Sequence, residues 1–488
     1  MKEIASWALN TAAQRGASYV DVRIVDDRQR ALATKNGTVA HASDSETFGI
    51  GIRVISNGAW GFASTDNLQR ESVEKTAAQA VSIAQASARV KEQELRLAPE
   101  KPAVLEWTTP HKIDPFTVSL EQNLELLRRV DEELRKVEGI TLAEVNLNFR
   151  RYEQWFYSTE GSDIHQTRFV TGAGFDVYSF AGTEIQKRSF PNSFGGQYQN
   201  KGYELVDELD LLGNAKRIAE EAVALHKAEQ CPQGRNTLVL DSSQLGLQIH
   251  ESIGHPIELD RVLGMEANFA GTSFLTTEKL RNLRYGSDLV NVVADATEAH
   301  GPGLGTFAYD DEGVAAQCTP IITNGDFTGY LTSRETAHTI GEKRSNGTMR
   351  AEGWNRIPII RMTNISILPG EKPLTFEQLI SDTDSGIFMQ TNRSWSIDDK
   401  RYNFQFGCEI AWEIKGGKLG KMLKNPSYSG ITTEFWNSMD AICSRDHWTL
   451  WGTPNCGKAQ PMQTMGTGHG ASPARFRNVK VGTAFKGN

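Results

Sequence analysis

No run of eighteen consecutive apolar residues occurs in this chain of 488 residues, so the sequence holds no candidate membrane span. A leader is missing too: "MKEIASWALNTAAQRG" reads as an amphipathic helix, with no charged segment followed by an apolar one. Cysteine is scarce, with Cys231, Cys318, Cys408, Cys443 and Cys456 as the five. Their odd number and irregular spacing exclude a disulfide framework and point to a reducing, cytoplasmic compartment. Basic residues are in deficit, 52 against 60 acidic, for a net charge of −8, and no long basic run is present. Nucleic-acid binding is thereby disfavoured.

What is there has the periodicities of an α+β chain. Residues 3–15 have helical spacing, 18–65 read as strands with turns at "KNG" and "SNG", and 66–91 read as a long helix. After the prolines of "RLAPEKPAV" the order repeats. A helix at 117–137 carries a capping box at Ser119 and Gln122. Alternating strands follow, then a third long helix, "ELVDELDLLGNAKRIAEEAVALHKAE", ending near 229. This predicts an N-terminal α+β domain, 1–229, of two related helix–antiparallel strands–helix subdomains at about 1–95 and 115–229. "QCPQGRNT", 230–237, reads as a linker. The remainder, 236–488, is rich in glycine and short alternating runs, ending in "RFRNVKVGTAF". It reads as a mainly β domain with hairpins at "NGD" and "KGGK".

Just inside this second domain stands "SSQLGLQIHESIGHP", a helix that Ser242 or Ser243 can cap. It places histidines at 250 and 255, five positions apart instead of the four at which a regular α-helix stacks two side chains. Both imidazoles can reach one ion if the helix ends at Gly254, in the left-handed conformation that glycine accepts, so that His255 lies on the exit turn before Pro256. A π-bulge is the other solution.

Two histidines leave a zinc site short of one protein ligand. Cys456, in the glycine- and proline-rich stretch "WGTPNCGKAQP", is the sharpest candidate, with Lys458 nearby to favour the thiolate. Glu258, His300, His338, His447 and His469 are its rivals. Glu251, beside the first histidine, can act as general base toward the water that such an ion activates. Alternatives to a catalytic site are a cap histidine at a helix end and a closed structural zinc site. Cys231, Cys318, Cys408 and Cys443 read as structural. "YDDEG" (Asp310, Asp311, Glu312) and "DDK" (Asp398, Asp399) read as turns, and "GTGHG" at 466–470 as a loop or a close backbone approach.

Taken together, "HESIGHPIELD", "GTFAYDDEGVAAQCTPIITNGDFTGYL", "RIPIIRMTNISILPG" and "GTPNCGKAQP" resemble the TldD/PmbA family, also labelled modulators of DNA gyrase, in its TldD branch. The resemblance implies a cytoplasmic zinc metallopeptidase acting on unfolded or flexible peptides. It implies Zn2+ held by His250, His255 and Cys456, with Glu251 as the catalytic base. It also implies a homodimer, or a heterodimer with a PmbA/TldE-like subunit. A non-catalytic regulatory subunit of such a complex is the alternative reading. In the family a glycine often follows the second histidine, where this chain has Pro256.

Overall fold

The computed structural model describes residues 1–92, 95–268 and 271–482. The N-terminal part begins with helix α1 (Lys2–Gln14), strands β1 (Tyr19–Lys35), β2 (Thr38–Ser56) and β3 (Ala59–Thr65), and helix α2 (Arg70–Ser87). After strand β4 (Val104–Thr108) come helix α3 (Leu120–Arg135) and strands β5 (Ile140–Ser158), β6 (Asp163–Ala181), β7 (Glu184–Phe190) and β8 (Gln197–Gln199). Helices α4 (Glu204–Leu209) and α5 (Leu211–Ala224) close it. The strands form one sheet in the order β3-β2-β1-β5-β6-β4, with β7 and β8 also on β6. The two helix–strand units therefore share a sheet, joined where β1 runs antiparallel to β5 from Asp21↔Ser158 to Lys35↔Glu144.

Period-two alternation gives this sheet two unlike faces. Val20, Val22 and Ile24 of β1, with Ile50, Ile52 and Val54 of β2, point to the face covered by α1 and α2. Leu32, Val145 and Leu147 lie under α3 and α5 on that same face. The other face carries Asp21, Arg23, Arg53, Arg150 and Gln154, and it meets the C-terminal part. There Arg53 bridges Asp21 at 2.6 Å and Glu312 at 3.1 Å, Gln154 donates to Asp311 at 2.8 Å, and Arg23 donates to the carbonyl of Arg356 at 2.5 Å. The "YDDEG" segment is thus an anchor between the two parts. Gly51 allows the approach, because a Cβ there would lie 2.3 Å from the backbone oxygen of Trp354.

Local signals account for several boundaries. In α3, Ser119 Oγ accepts from Gln122 N–H at 3.1 Å and Gln122 Oε1 accepts from Ser119 N–H at 3.3 Å, closing the capping box. The single helix expected over 204–229 is instead two. Asp210 turns left-handed at φ 45° and accepts a hydrogen bond from Gly213 N–H at 3.1 Å, which ends one helix and caps the next.

The C-terminal part is β-rich. One eight-stranded sheet runs in the order Ser385–Ile397, Gly234–Leu240, Ala474–Val481, Ser427–Ile431, Asn403–Lys415, Lys418–Lys424 and Glu229–Gln230, with Met439–Ile442 also on Ala474–Val481. The end of the strand expected over 475–485, and of the domain expected to reach 488, lies outside the described residues. A six-stranded sheet runs Asp326–Phe327, Cys318–Thr323, Val292–Asp295, Asn364–Ile367, Gln463–Ala471 and Thr449–Lys458. The hairpins at "NGD" and "KGGK" form, with positive φ at Asn324, Gly325, Gly416 and Gly417, as two-residue hairpin turns require. Between the two sheets runs helix α6 (Ser242–Ile249), buried along its whole length. Leu245, Ile249 and Ile253 pack among Ile365, Ile387, Met389, Ala471 and Phe476. Among the described residues no helix is long and apolar enough to cross a membrane.

Candidate metal centre

Helix α6 is capped by Asp241, whose carboxylate accepts from Ser243 N–H at 3.0 Å; neither serine is the cap. The helix does not end in a left-handed stop at Gly254. It widens into a π-turn, His250–Gly254, closed by a hydrogen bond from His255 N–H to the His250 carbonyl at 3.1 Å. An i→i+5 turn stacks residues five apart, and the two imidazole centroids are 4.9 Å from one another. Gly254 has no left-handed φ, contrary to the expectation of a helix stop there. Its smallness serves packing, because a Cβ would lie 2.1 Å from Met362 Sδ. Pro256 has no N–H to offer the Ser252 carbonyl four positions earlier. The Tyr285 hydroxyl donates to that carbonyl instead. Trp436 Nε1 donates to Ser252 Oγ at 3.0 Å and fixes the same turn from the other side.

The structure brings His250, His255 and Cys456 together, one ligand atom from each lying within 4.8 Å of the others. Cys456 is not in a loop. It lies on the edge strand Thr449–Lys458, just after an irregularity in its pairing with Gln463–Ala471. Its Sγ is 3.7 Å from His255 Nε2.

The partners of the ring nitrogens settle which of them are free. His469 Nδ1 is 3.2 Å from the Ile365 carbonyl, which only accepts, so that nitrogen is the donor. His469 Nε2 then accepts from His250 Nδ1 at 2.7 Å, and His250 Nε2 is left unprotonated. Thr467 Oγ1, 3.0 Å from His469 Nε2, supports the same ring. His255 Nδ1 donates to Glu258 Oε2 at 3.0 Å, which leaves its own Nε2 free. Glu258 and His469, rivals for the third ligand position on sequence grounds, are the groups that orient the two histidines.

Electrostatics favour the donor forms. Burial pulls His250 and His255 below the usual imidazole range, toward the neutral ring. Burial would raise the Cys456 thiol, yet the group is held below its ordinary value, with the Arg361 guanidinium the largest opposing influence. Arg361 also donates to the Cys456 carbonyl at 2.5 Å. Lys458 does not serve the thiolate as expected: its ammonium is buried between Asp260 at 2.7 Å and Glu258 at 3.5 Å. Burial would raise Glu258 too, yet Lys458, His255 and Arg261 keep its carboxyl well below the usual range.

Glu251 sits on the π-turn, and its carboxylate accepts from Arg401 Nη1 at 2.5 Å. Arg401 has φ 63° and follows the "DDK" turn, in which Asp398 accepts from Tyr402 N–H and Asn403 Nδ2, each at 2.7 Å. The sequence reading missed Arg401 and Arg361. Arg401 lies 150 positions from its partner, and nothing local marks either arginine.

Other sequence candidates lie apart. His338 is exposed, and His447 Nε2 accepts from Phe376 N–H at 3.4 Å. Cys231, Cys408 and Cys443 are buried. Cys318, expected to be structural, is exposed and stands with Asp295 and His300 in a second donor group within 4.8 Å.

With this geometry in place, comparison with known proteins is informative. The family model for the PmbA/TldA metallopeptidase C-terminal domain matches residues 233–483, those for domain 1 and the central domain 20–84 and 113–227. The chain belongs to the PmbA/TldD metallopeptidase family. This metallopeptidase is 31% identical over 429 residues to metalloprotease MJ0996 of Methanocaldococcus jannaschii, covering 87% of this chain and 89% of that one. It is 24% identical over 483 residues to a zinc metalloprotease TldD homolog of Saccharolobus solfataricus, covering 97% and 98%. TldE from Thermococcus kodakarensis shares its fold, with a TM-score of 0.72, 14% identity and coverage of 98% and 100%.

Proposed function

We propose that this PmbA/TldD metallopeptidase is a zinc-dependent hydrolase of peptide bonds in unfolded or flexible peptides. His250, His255 and Cys456 hold the ion, and Glu251 is the general base. The observation that carries the reading is that a ring nitrogen of His250, one of His255 and the Cys456 sulfur lie within 4.8 Å of one another, with the thiol held low and Glu251 on the same π-turn. The donor set fits zinc: a tetrahedral ion about 2.0 Å from nitrogen and about 2.3 Å from sulfur separates the two donors by about 3.5 Å, and His255 Nε2 and Cys456 Sγ are 3.7 Å apart. When bound, zinc supplies a Lewis acid for the scissile carbonyl and for water.

The protein's own groups do the rest. Glu251 takes a proton from the attacking water and passes it to the leaving amine. Arg401 is a positioning residue that aims this carboxylate. Cys456 lies on an edge strand, so an extended peptide can add to that edge through main-chain hydrogen bonds that are indifferent to sequence. A folded domain offers no such strand, which explains selection for unfolded chains. We place the enzyme in the cytoplasm, in keeping with its free cysteines, and in an assembly of two subunits. The assembly is a homodimer or a heterodimer with a TldE-like chain, a reading supported by the shared fold.

The test compares the wild type with Glu251→Gln on an unstructured peptide mixture, with fragments read by mass spectrometry and zinc measured in both proteins. Expected is a loss of cleavage by about 10²- to 10⁴-fold with zinc retained. Equal cleavage by the two removes Glu251 from the mechanism. Absence of cleavage by either protein, alone and with a TldE-like chain added, would favour the non-catalytic regulatory reading.

A further inference from the structure

Between the polar face of the N-terminal sheet and the strands of the candidate metal centre lies a cavity of about 260 Å³. Arg150, Tyr152 and Arg168 of β5 and β6 line one side, and Arg350, Pro454 and Met465 the other. Pro454 precedes Cys456 by two positions, and Met465 is the cross-strand partner of Cys456. The cavity therefore adjoins the segment that carries the thiol.

Its charges do not balance. Arg30, Arg150, Arg168 and Arg350 line it, against a single carboxylate, Glu352. Arg30 and Arg150 are matched by Asp44 at 2.8 Å and Asp27 at 2.7 Å. The carboxylate of Glu352 lies 4.0 Å from Arg356. Arg168 and Arg350 have no ion pair within 4.0 Å among the described residues. Arg168 lies over the Tyr152 ring, 4.5 Å from its centroid. Arg350 donates to the carbonyls of Met362 at 2.9 Å, Gly466 at 2.8 Å and Leu304 at 3.1 Å. Its Nε is buried without a partner. Burial, Arg168 and Arg361 together pull the Arg350 guanidinium down to about 9. Asp311 opposes this pull but is shared with Arg23 at 3.7 Å and Gln154 at 2.8 Å, so a buried cation held by neutral carbonyls, with a second unpaired cation acting on it, is short of counter-charge. Tyr198 also lines the cavity, and its hydroxyl accepts from Asn148 Nδ2 at 3.0 Å.

We propose that this cavity is a carboxylate-binding subsite that anchors an anionic group of the peptide, its C-terminal carboxylate or an acidic side chain, with Arg168 and Arg350 as the counter-charges. The subsite rests on the peptidase reading for the identity of its ligand. A planar carboxylate suits paired guanidinium donors. Anchored there, an extended chain enters beside the edge strand that carries Cys456, so the subsite fixes how far from a negative group cleavage falls.

Binding tests this separately from cleavage. Zinc-loaded Glu251→Gln protein is titrated calorimetrically with three versions of one uncharged, unstructured octapeptide: free C-terminal acid, C-terminal amide, and amide with one internal glutamate. The titrations are repeated with Arg168→Gln and Arg168→Lys added. At least tenfold tighter binding of the acid than the amide is expected if the terminal carboxylate is the ligand. The same preference for the glutamate peptide identifies a side chain. Arg168→Gln removes the preference and Arg168→Lys keeps part of it, with melting temperature and zinc content unchanged. Equal binding of all three peptides, or a preference that survives Arg168→Gln, overturns the subsite. So does inorganic phosphate binding that no peptide displaces. If Glu251→Gln abolishes cleavage while the peptides bind alike, the subsite falls and the peptidase stands. If wild type cleaves nothing while the preference and its loss are seen, the peptidase reading falls and the anion site stands.

Discussion

Among the described residues, two places gather histidine, cysteine and a third donor within 4.8 Å, and they are built differently. Around His250, His255 and Cys456 each ring has its second nitrogen occupied by a dedicated partner, and Arg361 favours loss of the thiol proton. In the other group the donors satisfy one another. Asp295 Oδ2 is taken by His300 at 2.6 Å, and Oδ1 by Thr297 N–H at 2.8 Å and its hydroxyl at 2.6 Å. Although Cys318 is exposed, partial desolvation of its sulfur by neighbouring groups, with Asp295 beside it, pushes the thiol up to about 11, so it keeps its proton. Proximity of ligand-type side chains is thus a poor criterion by itself. The partners that fix tautomers and deprotonate sulfur separate a centre ready for a cation from three groups already content.

The largest effect that sharpens this contrast is expected at Cys456. Cys456→Ala removes a proposed ligand, and zinc content should fall from about one ion per chain to near zero after dialysis. Retention of zinc would give the third position to another group. Next comes the support of the rings: Glu258→Gln should weaken zinc binding by about 10- to 100-fold, read by chelator competition. Gly254→Val should cost about 1–3 kcal/mol in denaturant unfolding through its collision with Met362. Unchanged stability would show that the π-turn is not tightly packed there. The smallest effect belongs to Cys318→Ser, which should leave zinc content and activity as they were. Loss of a second equivalent of zinc would break the comparison. Because a thiolate fraction grows with pH below the thiol's pKa, alkylation of Cys318 should rise about tenfold per unit between pH 8 and 10. It should level off only near 11.

Legibility in the sequence followed distance along the chain. The capping box at Ser119, the hairpins and the strand alternation of β1 are decided within a few residues, and each could be read directly. His250, Glu251 and His255 lie within six positions, so their motif was visible as well. The break at Asp210 was missed because a helical pattern continues through it, and only the left-handed cap interrupts it. The register between Thr449–Lys458 and Gln463–Ala471 decides where His469 points, and no local pattern states it. His469 therefore read as a rival ligand when it is the hydrogen-bond partner of His250. Arg401 and Arg361 were beyond reach for the same reason. The π-turn was foreseen only as an alternative, because a proline after the second histidine suits a helix end equally well.

The two faces of the N-terminal sheet bear on how the chain comes off the ribosome. Synthesis at about 5–20 residues per second puts tens of seconds between the emergence of Arg53 and that of Glu312. During that interval the helices can already seal the apolar face, while the waiting face shows water Asp21, Arg23, Arg53, Arg150 and Gln154 interleaved with Val25, Tyr152, Phe156 and Ile164. Asp21 stands at 2.6 Å from Arg53 and can hold it without its later partner. The charged groups spread among those side chains break the nascent face into small apolar patches, which the C-terminal half covers when it arrives.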